Sequence, residues 1–334
     1  MLNAPSPLAL ALLAVALIFG FVSGLRDAAN IVATMISSRA IGPRAALITA
    51  ALAAAISPFI FGVNVATTLG REFITAQATT SPVVLAGLIA AIAWNALTAW
   101  LGTPSSSLHA LVGGLLGAAI ASNGWNAINP AGVGRVLVSL LLSPVLGLLA
   151  GFVLMRLILL LARGASPRIN IFFKRGQVAT VIALALAYGA NDGQKTIGVM
   201  AMALIAAGSI DTFQFPFVIV VIGVAALTLG MSVGGWRLIR TLGGRFYTVR
   251  PVHAFSAQVA SAVVVLGAAL AGGPVSTTQV VSTAIMGAGS AERLSKVRWH
   301  IADSILTAWL LTLPVTAALA AGLYEWIRTW PIFA

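Results

Sequence analysis

The chain has 334 residues, of which 60% are hydrophobic and 8% are charged, and its mean hydropathy is +1.03. Soluble domains carry roughly 25% charged residues, so this composition excludes an ordinary soluble globular protein. The net charge of +12 does not indicate a nucleic-acid partner, because the basic residues lie in short loops between apolar blocks, and the absence of Cys excludes disulfides and thiol chemistry.

The apolar blocks are long enough to cross about 30 Å of hydrocarbon as helices. They predict an all-α, polytopic integral membrane protein with about five segments in each half. Residues 1–162 are predicted to form a first transmembrane repeat, 163–175 a basic cytoplasmic linker and 176–334 a second repeat. In chain order the segments are 7–37, 45–62, 82–101, 105–121, 133–162, 176–206, 214–235, 252–271, 275–290 and 301–324.

Basic residues cluster in four loops, at 39–44, 163–175, 237–250 and 293–298. Placing all four loops in the cytoplasm puts both termini on the outer side of the cell membrane. Because five segments per half is an odd number, the halves are then inverted with respect to each other. A non-repeating bundle with an even number of segments is the alternative, and it would leave a basic loop outside. Segments 105–121 and 275–290 are short and begin with polar residues, so whether they span fully or are re-entrant stays open.

A short acidic–amide motif appears once in each half, as Gly24–Asn30 and as Gly189–Lys195, with the two aspartates 165 positions apart. A carboxylate inside a bilayer is costly, so Asp27 and Asp192 indicate a functional site. They can bind a coupling cation, carry a proton or orient neighbouring donors. The glycine that opens each motif favours an unwound helix turn with free backbone carbonyls.

Other side chains of the motif admit two interpretations. Asn30 and Asn191 can donate to a substrate or accept from a cation. Arg26 and Lys195 lie next to the carboxylates, so structural Asp–Arg and Asp–Lys pairs that hold helices together are the alternative. The two interpretations are compatible with each other.

A second pair of motifs supports the duplication. Gly102–His109 and Gly272–Gln279 align at an offset of 170, and in each a Pro precedes hydroxyl residues that open an apolar helix. A helix N-terminus offers free N–H groups and a positive dipole end, so it binds anions without basic side chains. Capping or packing by Ser and Thr is the alternative. The hydroxyl residues are Ser105, Ser106 and Ser107, and Ser276, Thr277 and Thr278.

These four motifs, in this order, resemble the PiT family of inorganic phosphate transporters, in which both halves carry a G-x-N-D-x-A-N motif and a Pro–Ser/Thr cluster. The resemblance runs from Gly24–Ser38 to Leu306–Val315. It implies an inverted-repeat fold that moves phosphate with Na⁺ or H⁺. Carried over by position, it places Asp27, Asn30, Asn191 and Asp192 on the acidic–amide motifs, and Ser105–Ser107 and Ser276–Thr278 on the hydroxyl clusters. From the motifs and the resemblance together, the residues predicted to bind substrate are Asn30, Ser105, Ser106, Ser107, Asn191, Gln194, Ser276, Thr277 and Thr278. Those predicted to act in coupling or to carry charge are Asp27, Asp192, Lys195, Arg26 and His109.

Two positions depart from the family pattern. Position 26 is Arg where many members have Asn, and position 195 is Lys where the Na⁺-coupled pattern has Asn. The second motif looks like that of the bacterial branch that is associated with proton coupling. Our hypothesis is that the Lys195 ammonium takes the place of a bound Na⁺. His109 is a candidate proton carrier because the unperturbed pKa of His is about 6.5, and a structural hydrogen-bonding role is its alternative.

The function predicted from these features is a symporter for inorganic phosphate, as the free anion or as a metal–phosphate complex. H⁺ is the expected coupling ion, and Na⁺ stays open. A sulfate permease on the same fold is the main alternative, followed by a passive anion channel. No nucleophile–base pair or metal-ligand cluster is evident, so we expect no enzyme activity, no cofactor and no bound metal. Whether the protein forms a homo-oligomer stays open.

Overall fold

The structure is a computed structural model that describes residues 6–71, 73–166, 168–213, 215–244 and 249–333. Its described part is built from helices joined by short connections, and the prediction of an all-α membrane protein is confirmed. A π-helical turn at Gly189–Gly193 joins α7 to α8. The α-helices are α1 Pro7–Ser37, α2 Pro43–Phe61, α3 Asn64–Arg71, α4 Ser81–Leu101, α5 Ser107–Asn123, α6 Pro130–Leu161, α7 Ile169–Tyr188, α8 Gln194–Ala206, α9 Phe217–Val233, α10 Trp236–Gly244, α11 Pro251–Leu270, α12 Thr277–Glu292 and α13 Trp299–Ile327.

Seven helical stretches in the described part are long and apolar enough to cross a membrane. They are α1, α2, α4, α6, the combined α7 and α8, α11, and the part of α13 that begins at Ile305. Helices α9 and α10 together make an eighth, with a bend of 69° between them. Helices α3 and α10 were not among the ten predicted segments, because short helices with several polar residues do not stand out in the hydropathy of the sequence.

Helices α5 and α12 differ from the spanning helices in length and surroundings. They have 17 and 16 residues, which corresponds to about 25 Å, and nearly all of these residues are buried. The chain before α5 runs back along α4, since Trp94 Nε1 donates to Ser105 Oγ at 3.0 Å, roughly two turns before α4 ends. Segments 105–121 and 275–290 therefore contain short buried helices rather than long continuous ones.

The packing of the helices follows a reciprocal pattern. Helix α5 lies along α13 and α12 lies along α6, so each short helix is held by the last helix of the other half. Likewise α1 packs against α9, α2 against α7, and the short helices α3 and α10 against α8 and α1. This pattern is consistent with a duplicated chain whose halves are intertwined. The boundaries of the two repeats, their opposite orientation and the outer position of the termini stay predictions.

Helix α7 begins within the stretch that the sequence predicts as the linker between the halves. The basic linker was predicted at 163–175, whereas α7 begins at Ile169. The first turns of α7 bury Phe173, whose ring meets the rings of Phe172 and Phe255 at 5.5 Å and 5.4 Å. These aromatic contacts stabilise two additional turns of helix in a stretch where the basic residues had suggested a loop.

Glycines allow α1 and α9 to approach backbone to backbone. A Cβ atom added at Gly230 would lie 2.0 Å from the Phe21 carbonyl oxygen, and one added at Gly24 would lie 1.9 Å from the Leu227 carbonyl oxygen. No side chain can rotate away to relieve these contacts, because both obstacles are backbone atoms. The close approach of α1 and α9 therefore requires glycine on both helices.

We expect Gly230→Ala to lower the free energy of unfolding by about 1–3 kcal/mol, because α1 and α9 must separate to accommodate the methyl group. Thermal unfolding of the purified protein in detergent, followed by tryptophan fluorescence, measures the change. Gly267→Ala is the matched control, since a Cβ there meets nothing within 4 Å and α11 gains helix propensity. Equal melting temperatures for Gly230→Ala and Gly267→Ala would contradict the close backbone contact of α1 with α9.

Candidate functional site

The N-termini of α5 and α12 meet in the interior of the protein. Each helix follows a glycine with positive φ, Gly102 at 71° or Gly272 at 70°, that ends the preceding helix. Ser106 and Ser276 then act as N-caps, with side chains that accept from the backbone N–H groups three residues on. The Ser276 hydroxyl donates to the Ser106 hydroxyl at 2.8 Å, so two helix dipoles direct their positive ends to one point.

The first residue of each short helix binds a carboxylate. The Ser107 hydroxyl donates to Asp27 Oδ2 at 2.7 Å, and the Thr277 hydroxyl donates to Asp192 Oδ2. Both carboxylates are buried, with exposed fractions of 1% and 4%. Since Ser107 and Thr277 are 170 positions apart and the aspartates 165 apart, these two contacts are equivalent. The four predicted motifs are therefore brought together in pairs.

Each carboxylate also has an internal cationic partner. Arg26 Nη2 lies 3.0 Å from Asp27 Oδ1, and the Lys195 ammonium donates to Asp192 Oδ1. The Arg26 side chain is fully buried, and Lys195 is 2% exposed. Buried charges are stable only when they are paired and hydrogen-bonded, which these four are. The predicted Asp–Arg and Asp–Lys pairs are thus present at the centre of the site.

Arg26 and Asn191 hold the peptides that lead into the two short helices. Arg26 Nη2 donates to the Ser105 carbonyl at 2.6 Å, and Nη1 donates to Asn95 Oδ1 at 2.8 Å. With its amide oriented so that both atoms are satisfied, Asn191 donates to the Val275 carbonyl at 3.0 Å and accepts from its N–H at 3.2 Å. In this structure both side chains therefore position the helix N-termini.

Asn30 joins the first acidic motif to the second hydroxyl cluster. Its Nδ2 donates to the Thr278 hydroxyl at 2.9 Å, and its Oδ1 is buried without a hydrogen-bond partner among the described residues. Lys195 occupies the corresponding position of the second motif. The two halves of the site consequently differ, with an amide in one and a cation in the other.

Three predicted site residues have other surroundings. The Gln194 amide binds the backbone where α3 begins, accepting from Val65 N at 2.6 Å and donating to the Gly62 carbonyl at 2.7 Å, and its role in substrate binding stays a prediction. The Ser105 hydroxyl lies 2.8 Å from Thr312 Oγ1 and anchors α5 to α13. His109 faces a groove between α6 and α13 together with Gln279, and its Nδ1 has no partner in the described part.

The expected unwinding of both acidic motifs is not observed. Helix α1 continues through Asp27 and Asn30, whereas the second motif forms the π turn Gly189–Gly193. π turns widen a helix by one residue and are frequent at functional sites. Gly24 and Gly189 instead allow close packing, since a Cβ at Gly189 would lie 2.4 Å from the Ala54 carbonyl oxygen.

Two buried polar residues at the site, Asn95 and Tyr188, are not among the residues predicted from the motifs. Asn95 is fully buried in α4 and binds Arg26, and Tyr188 is fully buried directly before the π turn, with no partner for its hydroxyl among the described residues. A lone amide inside the apolar segment 82–101 is a signal that could have identified Asn95, because intramembrane polar residues are usually functional. For Tyr188 the only signal was its position next to the motif.

Comparisons with known proteins agree on one family. The sequence model of the phosphate transporter family matches residues 23–166 and 160–320. A Bacillus subtilis (strain 168) protein named "Probable low-affinity inorganic phosphate transporter" is 38% identical over 92% of this chain and 94% of its own length. A Rhizobium meliloti (strain 1021) protein with the same name is also 38% identical, over 95% of this chain and 96% of its own length.

A solved structure described as "The sodium-dependent phosphate transporter" is similar to this fold. Its TM-score is 0.88 at 25% sequence identity, and the match covers 96% of this chain and 99% of the other. These relatives are named as transporters, in agreement with the prediction of a transport protein rather than an enzyme. With both halves matched by the family model and relatives aligned over nearly their full length, this chain belongs to the phosphate transporter family.

Proposed function

We propose that the chain is a symporter that takes up inorganic phosphate together with H⁺, and that phosphate binds where α5 and α12 begin. The observation that carries the proposal is the pairing of both buried carboxylates with cations of the chain itself, Arg26 and Lys195. The names of the relatives support phosphate as the substrate. The plasma membrane is the proposed location.

The charge balance of the site supports proton coupling. Asp27, Asp192, Arg26 and Lys195 sum to a formal charge of zero when all are ionised. A bound phosphate anion adds negative charge in a buried environment, where uncompensated charge is costly. A proton that enters with the anion, on phosphate or on a carboxylate, offsets one unit of that negative charge without a metal ion. Lys195 already occupies the side of Asp192 that a metal cation would need.

The hydrogen-bonding groups favour phosphate over sulfate. Backbone N–H groups at two helix N-termini and the Lys195 ammonium are donors for either oxyanion. Asn30 Oδ1 is a buried acceptor without a partner among the described residues, so it requires a donor. Hydrogen phosphate carries a P–OH group that can donate to it, whereas sulfate does not, and sites built to bind a substrate hydroxyl reject analogues that lack it.

Uptake of labelled phosphate into proteoliposomes, with independently set Na⁺, pH and phosphate gradients, tests the proposal. We expect an acidic exterior to drive uptake without Na⁺, because H⁺ then enters down its gradient together with phosphate. Excess sulfate should compete weakly, and a chelator of divalent cations should have no effect if the free anion is carried. Uptake that requires Na⁺ and ignores the pH gradient would contradict proton coupling, and a single-channel current would indicate a passive channel.

A further inference from the structure

Three groups of hydrogen-bonded polar side chains, drawn from four helices, follow one another along α1 from the site toward its C-terminal end. We refer to them as the polar line. Beyond the Asn30–Thr278 contact, Gln258 of α11 joins two neighbouring helices. Its Nε2 donates to Thr34 Oγ1 on α1 at 3.0 Å, and its Oε1 accepts from Thr180 Oγ1 on α7 at 2.5 Å. One buried amide therefore ties α1, α7 and α11 together one turn beyond the site.

The line continues to the end of α1. Ser38 Oγ donates to Gln177 Oε1 at 2.6 Å, and Gln177 Nε2 donates to the Pro251 carbonyl at 3.4 Å, where α11 begins. Asn30, Thr34 and Ser38 are spaced four residues apart, so they lie on one face of α1 and extend over about 12 Å. Ser38 is followed by the basic loop 39–44, which the charge pattern places in the cytoplasm.

Two hydroxyls beside this line have no hydrogen-bond partner among the described residues. Ser261 is one turn after Gln258 on α11, and Ser282 is one turn after Thr278 on α12, and both are fully buried. A role in holding helices together explains why Thr34 and Thr180 are hydrogen-bonded to Gln258. It does not explain hydroxyls that bond to nothing, because burying an unsatisfied hydroxyl costs free energy that an alanine would not cost.

The corresponding positions of the other half are apolar. The acidic motifs define an offset of 165 positions between α1 and its counterpart, which is α7 together with α8. The hydroxyl motifs define an offset of 170 positions between α4 and α11 and between α5 and α12. All the apolar counterparts lie in or against one hydrophobic cluster. The corresponding pairs are Thr34 with Val199, Gln177 with Leu12, Thr180 with Val15, Gln258 with Leu88, Ser261 with Ala91, and Ser282 with Val112.

We propose that this polar line is the path by which phosphate leaves the site for the cytoplasm, and that Gln258 is the latch that closes it in this structure. The proposal rests on the proposed function. A phosphate ion that moves along α1 meets hydroxyl and amide groups at each turn, and it can pass only after Gln258 releases Thr34 or Thr180. The apolar counterpart in the other half offers no such groups, so the outer access route must differ in chemistry and closure.

Single-cysteine labelling tests this path, because the chain contains no native Cys. Ser282→Cys is compared with Val112→Cys, its counterpart in the other half, in oriented membrane vesicles exposed on one side to a membrane-impermeant anionic thiol reagent. We expect labelling of Ser282→Cys from the cytoplasmic side, slowed by inorganic phosphate, and no labelling of Val112→Cys from that side. Ser261→Cys and Ala91→Cys form a second pair should either first variant fail to fold.

Adding Gln258→Leu tests the latch, since leucine preserves the volume but breaks both hydrogen bonds. We expect the cytoplasmic labelling rate of Ser282→Cys to rise about fivefold or more, because one net hydrogen bond of about 1 kcal/mol corresponds to that factor. Thr34→Val and Thr180→Val each remove one bond and should raise the rate less. Equal cytoplasmic labelling at both positions of a pair, or a rate unchanged by Gln258→Leu, would overturn the proposal.

Phosphate uptake measured on the unlabelled variants separates the two proposals. Absent uptake by the wild-type chain would contradict the proposed function, whatever the labelling pattern is. Normal uptake combined with labelling of Ser282→Cys only from the outer side would contradict the path alone.

Discussion

Lys195→Asn is expected to lower Na⁺-independent phosphate uptake by about 100-fold or more and to make the remaining uptake depend on Na⁺. The substitution removes the ammonium that neutralises buried Asp192, and breaking a buried ion pair costs about 3–5 kcal/mol. It also places an amide oxygen where the first half has Asn30, so carboxylate and amide oxygens can then surround a cation. Initial uptake rates in proteoliposomes with and without Na⁺ measure the effect.

Lys174→Asn is the matched control, because this lysine is exposed near the start of α7. Its uptake should remain independent of Na⁺ and close to the wild-type rate. If Lys195→Asn retained wild-type uptake without Na⁺, Lys195 would not serve as the fixed counter-ion. A loss of all uptake, with or without Na⁺, would show that the substituted site does not become a cation site.

Asp192→Asn is expected to abolish uptake, with no activity above the level of empty liposomes. The amide cannot carry a proton between the two sides, and it leaves the Lys195 ammonium without its buried partner. Asp27→Asn should have the same effect through Arg26. Uptake driven by a pH gradient measures the loss, and Asp211→Asn, at an exposed carboxylate in the 207–213 connection, should transport normally.

A double variant separates folding from coupling. Asp192→Asn combined with Lys195→Met removes both charges of the pair, so the destabilisation caused by one unpaired buried charge should largely disappear. We expect its melting temperature to recover toward the wild-type value while uptake stays absent. Recovery of proton-driven uptake in the double variant would contradict a role of Asp192 in coupling and would support a purely structural ion pair.

Most of the long helices could be predicted, because a long apolar segment can be recognised as a membrane-spanning helix from its hydropathy alone. Segment 7–37 coincides with α1, and 252–271 differs from α11 by one residue at each end. The short helices α3 and α10 were missed, because their stability comes from packing on α8 and α1 rather than from hydropathy. The start of α7 was placed too late for a similar reason, since the contacts of Phe173 with Phe172 and Phe255 outweigh the basic character of that stretch.

The motifs predicted which groups lie together, but not the hydrogen bonds of each side chain. Asp27, Asp192 and the two N-capping serines lie together as expected. The place of Gln194 in the motif says nothing about the direction of its side chain, which lies against the backbone where α3 begins. Asn95 was overlooked, because its partner Arg26 is 69 positions away in the sequence.

The sequence by itself determined the membrane-protein class, the order of the main helices, the two pairs of motifs and the substitution of Lys195 for an amide. These properties follow from the composition of the chain, from the spacing of residues that are close in sequence, and from the free-energy cost of burying charge in a membrane. Only the tertiary structure decided which group bonds to which. The contact of Ser106 with Ser276 and the bridge from Gln258 to Thr34 join residues 170 and 224 positions apart, and such pairings depend on how intertwined helices pack.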